Sequence, residues 1–190
     1  MIRLSRTIRD FAGQRKAIRA GRYGVIETHA GVLVAIHLRA WPKVLSLREL
    51  WPVGDRFHEA GPADRCRLYY NQPRSAPGFL ALRYVASTRG AGYRTIRTAL
   101  LALDWVAELK QTDAIVCDAA NSRLSDRSLR RMGWAPHKPQ RWRRNYIRRF
   151  YGEYPPNPLS RSVEPSASAD GVLPVGPNAS AALREPLWVG

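Results

Sequence analysis

The sequence is poor in cysteine, in acidic residues and in long apolar runs, and each scarcity excludes a class of protein. Among 190 residues there are two cysteines, Cys66 and Cys117, and neither has a Cys or His at metal-ligand spacing, which excludes a structural zinc site. No run approaches the roughly 18 apolar residues of a membrane-spanning helix. We therefore expect a soluble, cytoplasmic protein with no metal, in which both thiols are small core residues.

Positive charge dominates what is present. The chain has 31 Lys plus Arg against 15 Asp plus Glu, a formal net charge of +16. Residues 153–190 hold two basic residues against four acidic ones, a net charge of −2, so residues 1–152 carry +18. A content of 45% hydrophobic and 24% charged residues is ordinary for a globular domain. The basic character therefore belongs to a folded domain.

Shifts in composition predict three parts of the chain. Residues 1–22 form a basic N-terminal helix or arm, residues 23–152 the folded domain, and residues 153–190 a Pro/Ser/Ala-rich tail that we expect to be flexible. Near-helical spacing of apolar residues over 1–20 predicts an amphipathic helix. An Arg-rich, acid-poor N-terminus also resembles an organellar transit peptide, and both interpretations stay open.

Alternating and β-rich runs predict two antiparallel hairpins, one from residues 23–28 with 31–38 and one from 66–71 with 79–87. A short helix is predicted around 46–50. The strongest helical pattern follows Gly92, with apolar residues at i, i+3, i+4 and i+7 spacing. Its members are Ile96, Ala99, Leu100, Leu103, Val106 and Ala107.

The remaining elements complete a mixed sheet. A short apolar strand at 114–117 precedes a short helix that Ser125 caps and Gly133 ends, and two closing strands follow at 134–137 and 145–151. The predicted fold class is α+β (mixed α/β), with a central, mostly antiparallel twisted sheet flanked by helices.

Ten Lys or Arg and one acid, Asp126, lie within residues 123–149. Aromatic residues are interleaved with them: Trp134, Trp142, Tyr146, Phe150 and Tyr151. Such a mixture suits phosphate contacts combined with base stacking, but the aromatics could equally pack inward beneath a basic surface. The candidate nucleic-acid-binding residues are Arg130, Arg131, Arg141, Arg143, Arg144, Arg148 and Arg149.

Four short motifs, in this order, resemble the GNAT N-acetyltransferase superfamily over about residues 23–152. They are Arg89-Gly90-Ala91-Gly92 before a helix, the strand Asp113-Ala114-Ile115-Val116-Cys117, Asn121, and Leu129-Arg130-Arg131-Met132-Gly133-Trp134. The resemblance implies that acetyl-CoA (an acyl-CoA) binds with its pyrophosphate at the loop and helix start. It also implies that the preceding strand offers backbone groups to the pantetheine, that the next strand splays away, and that Asn121 lies beside the cofactor arm. The cofactor-binding residues implied are Leu82, Tyr84, Val85, Arg89, Gly90, Ala91, Gly92, Tyr93, Arg94 and Asn121.

The sequence departs from the family pattern at three positions. Arg94 replaces the third small residue of the loop, where it either obstructs the phosphate cradle or adds a phosphate contact. The short helix after Asn121 lacks the usual tyrosine acid, and residues 79–87 contain no carboxylate base. The catalytic residues are therefore unknown. The loose candidates are Glu27, His29, His58 and Glu59 as base, and Tyr84, Tyr93 and Tyr146 as acid.

Two hypotheses follow. The first is an acetyl-CoA-dependent N-acyltransferase acting on an unidentified small-molecule or peptide amine, with an anionic acceptor as one option. The second is a catalytically inactive module of the same fold that binds nucleic acid or another polyanion through the arginine-rich segment.

Overall fold

A computed structural model describes residues 5–41, 63–88, 90–118, 125–138 and 144–156. The strands are β1 Ser5–Ile8, β2 Tyr23–His29, β3 Val32–Arg39, β4 Arg65–Asn71, β5 Phe79–Ser87, β6 Ala114–Asp118, β7 Ala135–Pro136 and β8 Asn145–Arg149. The helices are α1 Arg15–Ala20, α2 Tyr93–Lys110 and α3 Asp126–Arg131. The helix predicted at 46–50 and most of the predicted tail lie outside the described residues, and the three-part division stays a prediction.

The eight strands of the described residues form one sheet in the order β1-β3-β2-β4-β5-β6-β8-β7. Every neighbouring pair is antiparallel except β5 and β6, which are parallel. The predicted fold class, a mixed α/β structure with a large, mostly antiparallel sheet flanked by helices, is confirmed. A parallel pair needs a crossover connection, and α2 provides it.

Both predicted hairpins are present. The turn between β2 and β3 consists of Ala30 and Gly31, with φ of 48° and 77°. A two-residue turn with both φ values positive is type I′, whose twist matches the paired strands. The second hairpin pairs β4 with β5, and the polar, Pro-containing segment between Asn71 and Phe79 connects them.

The predicted helix over residues 1–20 is wrong in its first part. Residues Ser5–Ile8 are the edge strand β1, which pairs antiparallel with β3 from Ser5↔Arg39 to Ile8↔Ile36. The helix α1 covers only Arg15–Ala20. Cross-strand pairing that buries Ile8 against the sheet overrides the local helical spacing, as tertiary contacts commonly do.

Helices α1 and α2 cover one face of the sheet. Alternate residues of β4 are buried, among them Leu68, and Ile26 of β2 lies opposite it. Trp105 of α2 is fully buried, and the Phe11 ring meets it edge-on with 6.3 Å between centroids. The Nζ of Lys110 donates to the backbone oxygen of Arg19 at 2.7 Å, which joins the two helices.

The predicted boundaries of α3 are confirmed. Ser125 Oγ accepts from the Ser128 N–H at 3.2 Å, as an N-cap does. Gly133 has φ +82°, and the Trp134 N–H donates to the Leu129 carbonyl at 3.0 Å, closing the helix end. None of the described helices combines the length and the apolar composition needed to cross a lipid bilayer.

The two cysteines are free thiols. Cys66 is fully buried and Cys117 is half-buried. Burial raises the pKa of both thiols, and the nearby Asp118 raises the pKa of Cys117 further. The predicted role as core residues is confirmed for Cys66 and holds in part for Cys117. Among the described residues, no three His, Cys, Asp or Glu side chains are grouped to hold a metal ion.

Candidate functional site

The parallel strands β5 and β6 separate partway along β5. Their pairing ends at Leu82↔Cys117, whereas β5 continues to Ser87 against β4. The register with β4 shifts at this point and leaves Arg83 as an extra residue of β5, the arrangement of a β-bulge. Among the described residues, a gap therefore opens in the sheet after Leu82, on the β6 side of β5.

The backbone of Val85 faces this gap. The Thr88 N–H donates to the Arg65 carbonyl at 2.9 Å, and hydrogen-bonded residues alternate along an antiparallel pair. The N–H and C=O of Ala86 therefore point toward β4, and those of Val85 point to the side that β6 has left. No described strand pairs with Val85 on that side. An N–H donor and a C=O acceptor are thus available in the gap.

Helix α2 begins where β5 ends, so its N-terminus lies at the same edge of the sheet as the gap. Its N-cap, Gly92, has no side chain to bond the first N–H groups. The N–H groups of Thr95 and Ile96 donate to the Gly92 oxygen at 3.1 and 3.3 Å, but those of Tyr93 and Arg94 have no acceptor in the described part of the chain. Two N–H groups and the positive end of the helix dipole suit an anion such as pyrophosphate.

A carboxylate already lies beside this helix N-terminus. Asp64 Oδ1 accepts from the Gly92 N–H at 2.7 Å, and the Asp64 backbone oxygen accepts from the Ala30 N–H at 3.0 Å. The Gly92 N–H and the Thr95 side chain hold the pKa of Asp64 below its usual range. Asp64 therefore stays charged and fixes the loop, but its negative charge opposes an incoming anion.

Arg94 runs along the side of α2 toward the β2–β3 turn. A Cβ atom on Gly31 would lie 2.7 Å from Arg94 Cδ, so the arginine stem crosses this glycine. The turn is also held by the Gly31 N–H, which donates to Thr95 Oγ1 at 2.8 Å, and by Thr98 Oγ1, which donates to the Gly31 oxygen at 2.9 Å. The sequence leaves two roles open for Arg94, obstruction of the phosphate-binding loop or an added phosphate contact. A side chain in this position does not obstruct the loop.

The structure describes only some of the other residues that the resemblance implies for cofactor binding. Gly90 has φ +82°, which favours glycine, and the Ala91 N–H donates to the Thr88 oxygen at 3.1 Å. Arg89 and Asn121 lie outside the described residues. The cofactor-binding roles of the whole set remain predictions.

A buried glutamate on the face of the sheet opposite α1 and α2 gathers three basic side chains. Glu27 Oε1 accepts from Arg65, and Glu27 Oε2 lies 2.8 Å from His37 Nε2 and 3.7 Å from Arg67 Nε. His37 Nδ1 is 2.9 Å from Thr7 Oγ1. Burial opposes ionisation of Glu27, but His37, Arg65 and Arg67 together hold its pKa below the usual range. We call Glu27, His37, Arg65 and Arg67 the Glu27 cluster.

The candidates for proton transfer are not brought together. Glu27 is ionised and fully engaged, which makes it a weak base. His29 is exposed at the end of β2, and the buried Tyr146 hydroxyl donates to Asp126 Oδ1 at 2.6 Å. His58 and Glu59 lie outside the described residues. The side chains of Tyr84 and Tyr93 are 39% and 63% exposed.

The arginines of the basic segment 123–149 divide into outward and inward groups. Arg130 and Arg131 are exposed and share one face of α3 with Arg127. Arg144 pairs with Asp126 at 2.5 Å. Arg149 is exposed at the end of β8, while Arg141 and Arg143 lie outside the described residues.

Three of the interleaved aromatics pack inward. Trp134, Tyr146 and Phe150 are 3–5% exposed, and Tyr151 is 69% exposed. Trp142 lies outside the described residues. Inward packing, one of the two alternatives left open by the sequence, therefore holds for these three side chains, which cannot stack on bases.

Arg148 belongs to the interior. Its Nη2 lies 3.0 Å from Asp104 Oδ2 on α2, and its Nη1 donates to the Met132 carbonyl at the end of α3. Desolvation raises the pKa of Asp104 to about 7, against the opposing charge of Arg148. This side chain therefore links β8 to both helices, and its guanidinium is turned away from solvent.

Comparison with known proteins adds little to this geometry. No family model matches the chain, and no curated protein matches it. The crystal structure of nourseothricin acetyltransferase aligns with 77% of this chain and 98% of its own, at 12% sequence identity and a TM-score of 0.35. No residue role is transferred at that level of similarity.

Sequence reasoning missed Asp64 and most of the Glu27 cluster. The alternation in β4, with Cys66 and Leu68 buried and Arg65 and Arg67 outward, was available as a signal that both arginines share one face. Nothing local indicates that Glu27 lies beside them, because that depends on β4 pairing with β2. The contact of Asp64 with Gly92 joins residues 28 positions apart and has no local signal either.

Proposed function

We propose that this protein is an acetyl-CoA-dependent N-acyltransferase acting on an amine. The observation that carries the proposal is the gap between β5 and β6, which opens at the edge where the uncapped N-terminus of α2 lies. A long, thin ligand with a phosphate group at one end and an acyl group at the other fits such a gap. The resemblance of the Arg89–Gly92 loop to the GNAT pattern supports the same assignment.

Each part of the site has a task under this proposal. The N–H groups of Tyr93 and Arg94 hold the pyrophosphate, and the Arg94 guanidinium adds positive charge from the side. The backbone of Val85 contacts the pantetheine or the thioester, where its N–H is suited to stabilise an oxyanion. Acetyl-CoA supplies the activated acyl group: the amine attacks the thioester carbon, the C–S bond breaks, and the ammonium proton balances the released thiolate.

The described residues do not provide a dedicated base in β5. We therefore expect the amine to lose its proton to water or to attack in its neutral form. In either case the rate should rise as the pH approaches the pKa of the acceptor amine. The experiment is release of free CoA thiol from acetyl-CoA in the presence of a panel of amines. Amine-dependent release, with the acetylated amine identified by mass, supports the proposal, and release at the same rate without amine contradicts it.

Asp64 offers a test of where the phosphates bind. Asp64→Asn keeps an oxygen for the Gly92 N–H and removes a negative charge beside the helix N-terminus. We expect acetyl-CoA to bind about two- to fivefold more tightly at low ionic strength, with the gain reduced by salt. The matched control is Asp10→Asn, because Asp10 Oδ1 accepts from the Gly13 N–H at 2.9 Å in an unrelated loop. Equal affinity in wild type and Asp64→Asn at low salt contradicts this placement.

A second candidate, polyanion binding, is favoured by one observation. Arg127, Arg130 and Arg131 are exposed together beside a surface depression on α3. Because Trp134, Tyr146 and Phe150 are buried and cannot stack on bases, we expect such binding to rest mainly on phosphate contacts and to depend steeply on salt.

A further inference from the structure

In the Glu27 cluster the positive charges outnumber the one negative charge. Glu27 supplies one negative charge, and Arg65 and Arg67 supply two positive ones. His37 Nε2 donates to Glu27 Oε2, and His37 Nδ1 lies 2.9 Å from Thr7 Oγ1. The two arginines therefore leave the cluster with at least one surplus positive charge.

The surplus charge lies on Arg67. Arg65 bonds Glu27 directly and His37 is 2.8 Å away, whereas Arg67 Nε is 3.7 Å from the carboxylate, beyond hydrogen-bond distance. Glu27 is the one carboxylate paired with Arg67 in the described part of the chain. The Arg67 side chain is 34% exposed, the largest exposed fraction among the side chains of the cluster. As far as the described residues extend, its remaining guanidinium N–H groups are thus available to an anion.

The register places this arginine beside the candidate acyl site. Arg67 of β4 lies directly opposite Glu27 on one side and Ala86 on the other. Adjacent strands are about 4.8 Å apart, so the Arg67 backbone is one strand from the residue that follows Val85. By contrast, Thr7 on β1 is separated from β5 by β3, β2 and β4, about 19 Å at the same spacing. Arg65 and Arg67 both lie on β4, one strand from β5. Arg65 is hydrogen-bonded to Glu27 and Arg67 is not, so Arg67 is the better placed of the two to bind an acceptor at the gap.

We propose that Arg67 binds an anionic group of the acceptor, so that the preferred acceptor is an amine that also carries a carboxylate or a phosphate. This inference rests on the proposed acyl transfer and names its substrate class. The guanidinium fork suits a bidentate contact to either anion. Glu27 holds the neighbouring Arg65 in place and, being already bonded, does not compete for the Arg67 N–H groups.

The test compares acceptor pairs that differ by the anionic group: lysine and cadaverine, phenylalanine and phenethylamine, and O-phosphoethanolamine and ethanolamine. The enzyme forms are wild type, Arg67→Met, Arg67→Lys and the control Arg74→Met, at an exposed position in the turn at the far end of β5. We expect kcat/KM in wild type to favour the anionic member by at least about tenfold. The preference should disappear in Arg67→Met, persist in part in Arg67→Lys and remain whole in Arg74→Met.

Preference in the amino-acid pairs identifies a carboxylate, and preference in the ethanolamine pair identifies a phosphate. Equal use of both members by wild type, an unchanged preference in Arg67→Met, or transfer to none of the anionic amines overturns the inference. Calorimetry with acetyl-CoA separates this failure from failure of the proposed function. If acetyl-CoA binds wild type and Arg67→Met equally, the acyl-donor site stands whatever the acceptor, and if it binds neither, both proposals fall.

Discussion

Gly92→Trp should bind acetyl-CoA at least about 100-fold more weakly than the wild-type protein, with a stability within about 1 kcal/mol of it. The N-cap has φ −73°, which any residue adopts, and among the described residues a Cβ there meets Asp64 Oδ1 alone, at 3.6 Å. The fold therefore accepts a side chain at this position. An indole would fill the space in front of the first N–H groups of α2, where the pyrophosphate is proposed to bind.

The matched control for this variant is Gly92→Ala. A methyl group leaves the helix N-terminus open, so the affinity for acetyl-CoA should stay within about threefold of wild type. Calorimetric titration measures the affinity, and urea denaturation confirms that both variants are folded. If the tryptophan variant binds as tightly as the alanine variant, the phosphates do not bind at this helix end.

The second large effect concerns stability and arises from Asp104. Burial raises the pKa of this carboxyl from its ordinary value of 3.8 to about 7, a difference of about three pH units. Because the folded state holds the proton more tightly than the unfolded state, its stabilising contribution is complete below about pH 4 and is lost as the pH rises through about 7. The loss by pH 8 amounts to at most about 4 kcal/mol.

Asp104→Asn isolates this contribution, since an amide cannot titrate. The free energy of unfolding of wild type, measured by urea denaturation between pH 4 and pH 8, should fall relative to that of Asp104→Asn across this range. Asp10→Asn, at an exposed position, should follow the wild-type curve. Parallel curves for wild type and Asp104→Asn would show that Arg148 compensates fully for the desolvation of the carboxylate.

Elements with strong local signals could be predicted from the sequence. The 18-residue helix α2 follows from its apolar periodicity, the hairpins from strand runs around turn residues, and α3 from Ser125 and Gly133. The strand β1 could not be predicted, because Ile8 is buried by pairing with Ile36 across 28 residues. The local spacing of apolar residues favours a helix there, but the long-range pairing of β1 with β3 makes this segment a strand.

The candidate site shows the same limit. Gly92 and the start of α2 follow from the loop sequence, whereas the position of Arg94 depends on the β2–β3 turn that packs against the helix. The Glu27 cluster depends on strand order, since β4 returns past β3 to pair with β2. Alternation along one strand identifies which residues share a face, but only the register brings Glu27 and Arg67 together.

Whether this protein has an acyl-CoA site is tested by titrating the purified protein with acetyl-CoA, ATP and a short single-stranded RNA, each at low and high salt. Any anion binds weakly to a chain of net charge +16, so the comparison between ligands is needed to distinguish a specific site from general electrostatic attraction. An acyl-donor site predicts saturable 1:1 binding of acetyl-CoA that is tighter than that of ATP and persists at high salt. Acetyl-CoA binding no tighter than ATP binding, together with RNA binding that is lost at high salt, would rule out a dedicated acyl-donor site and favour a polyanion-binding module.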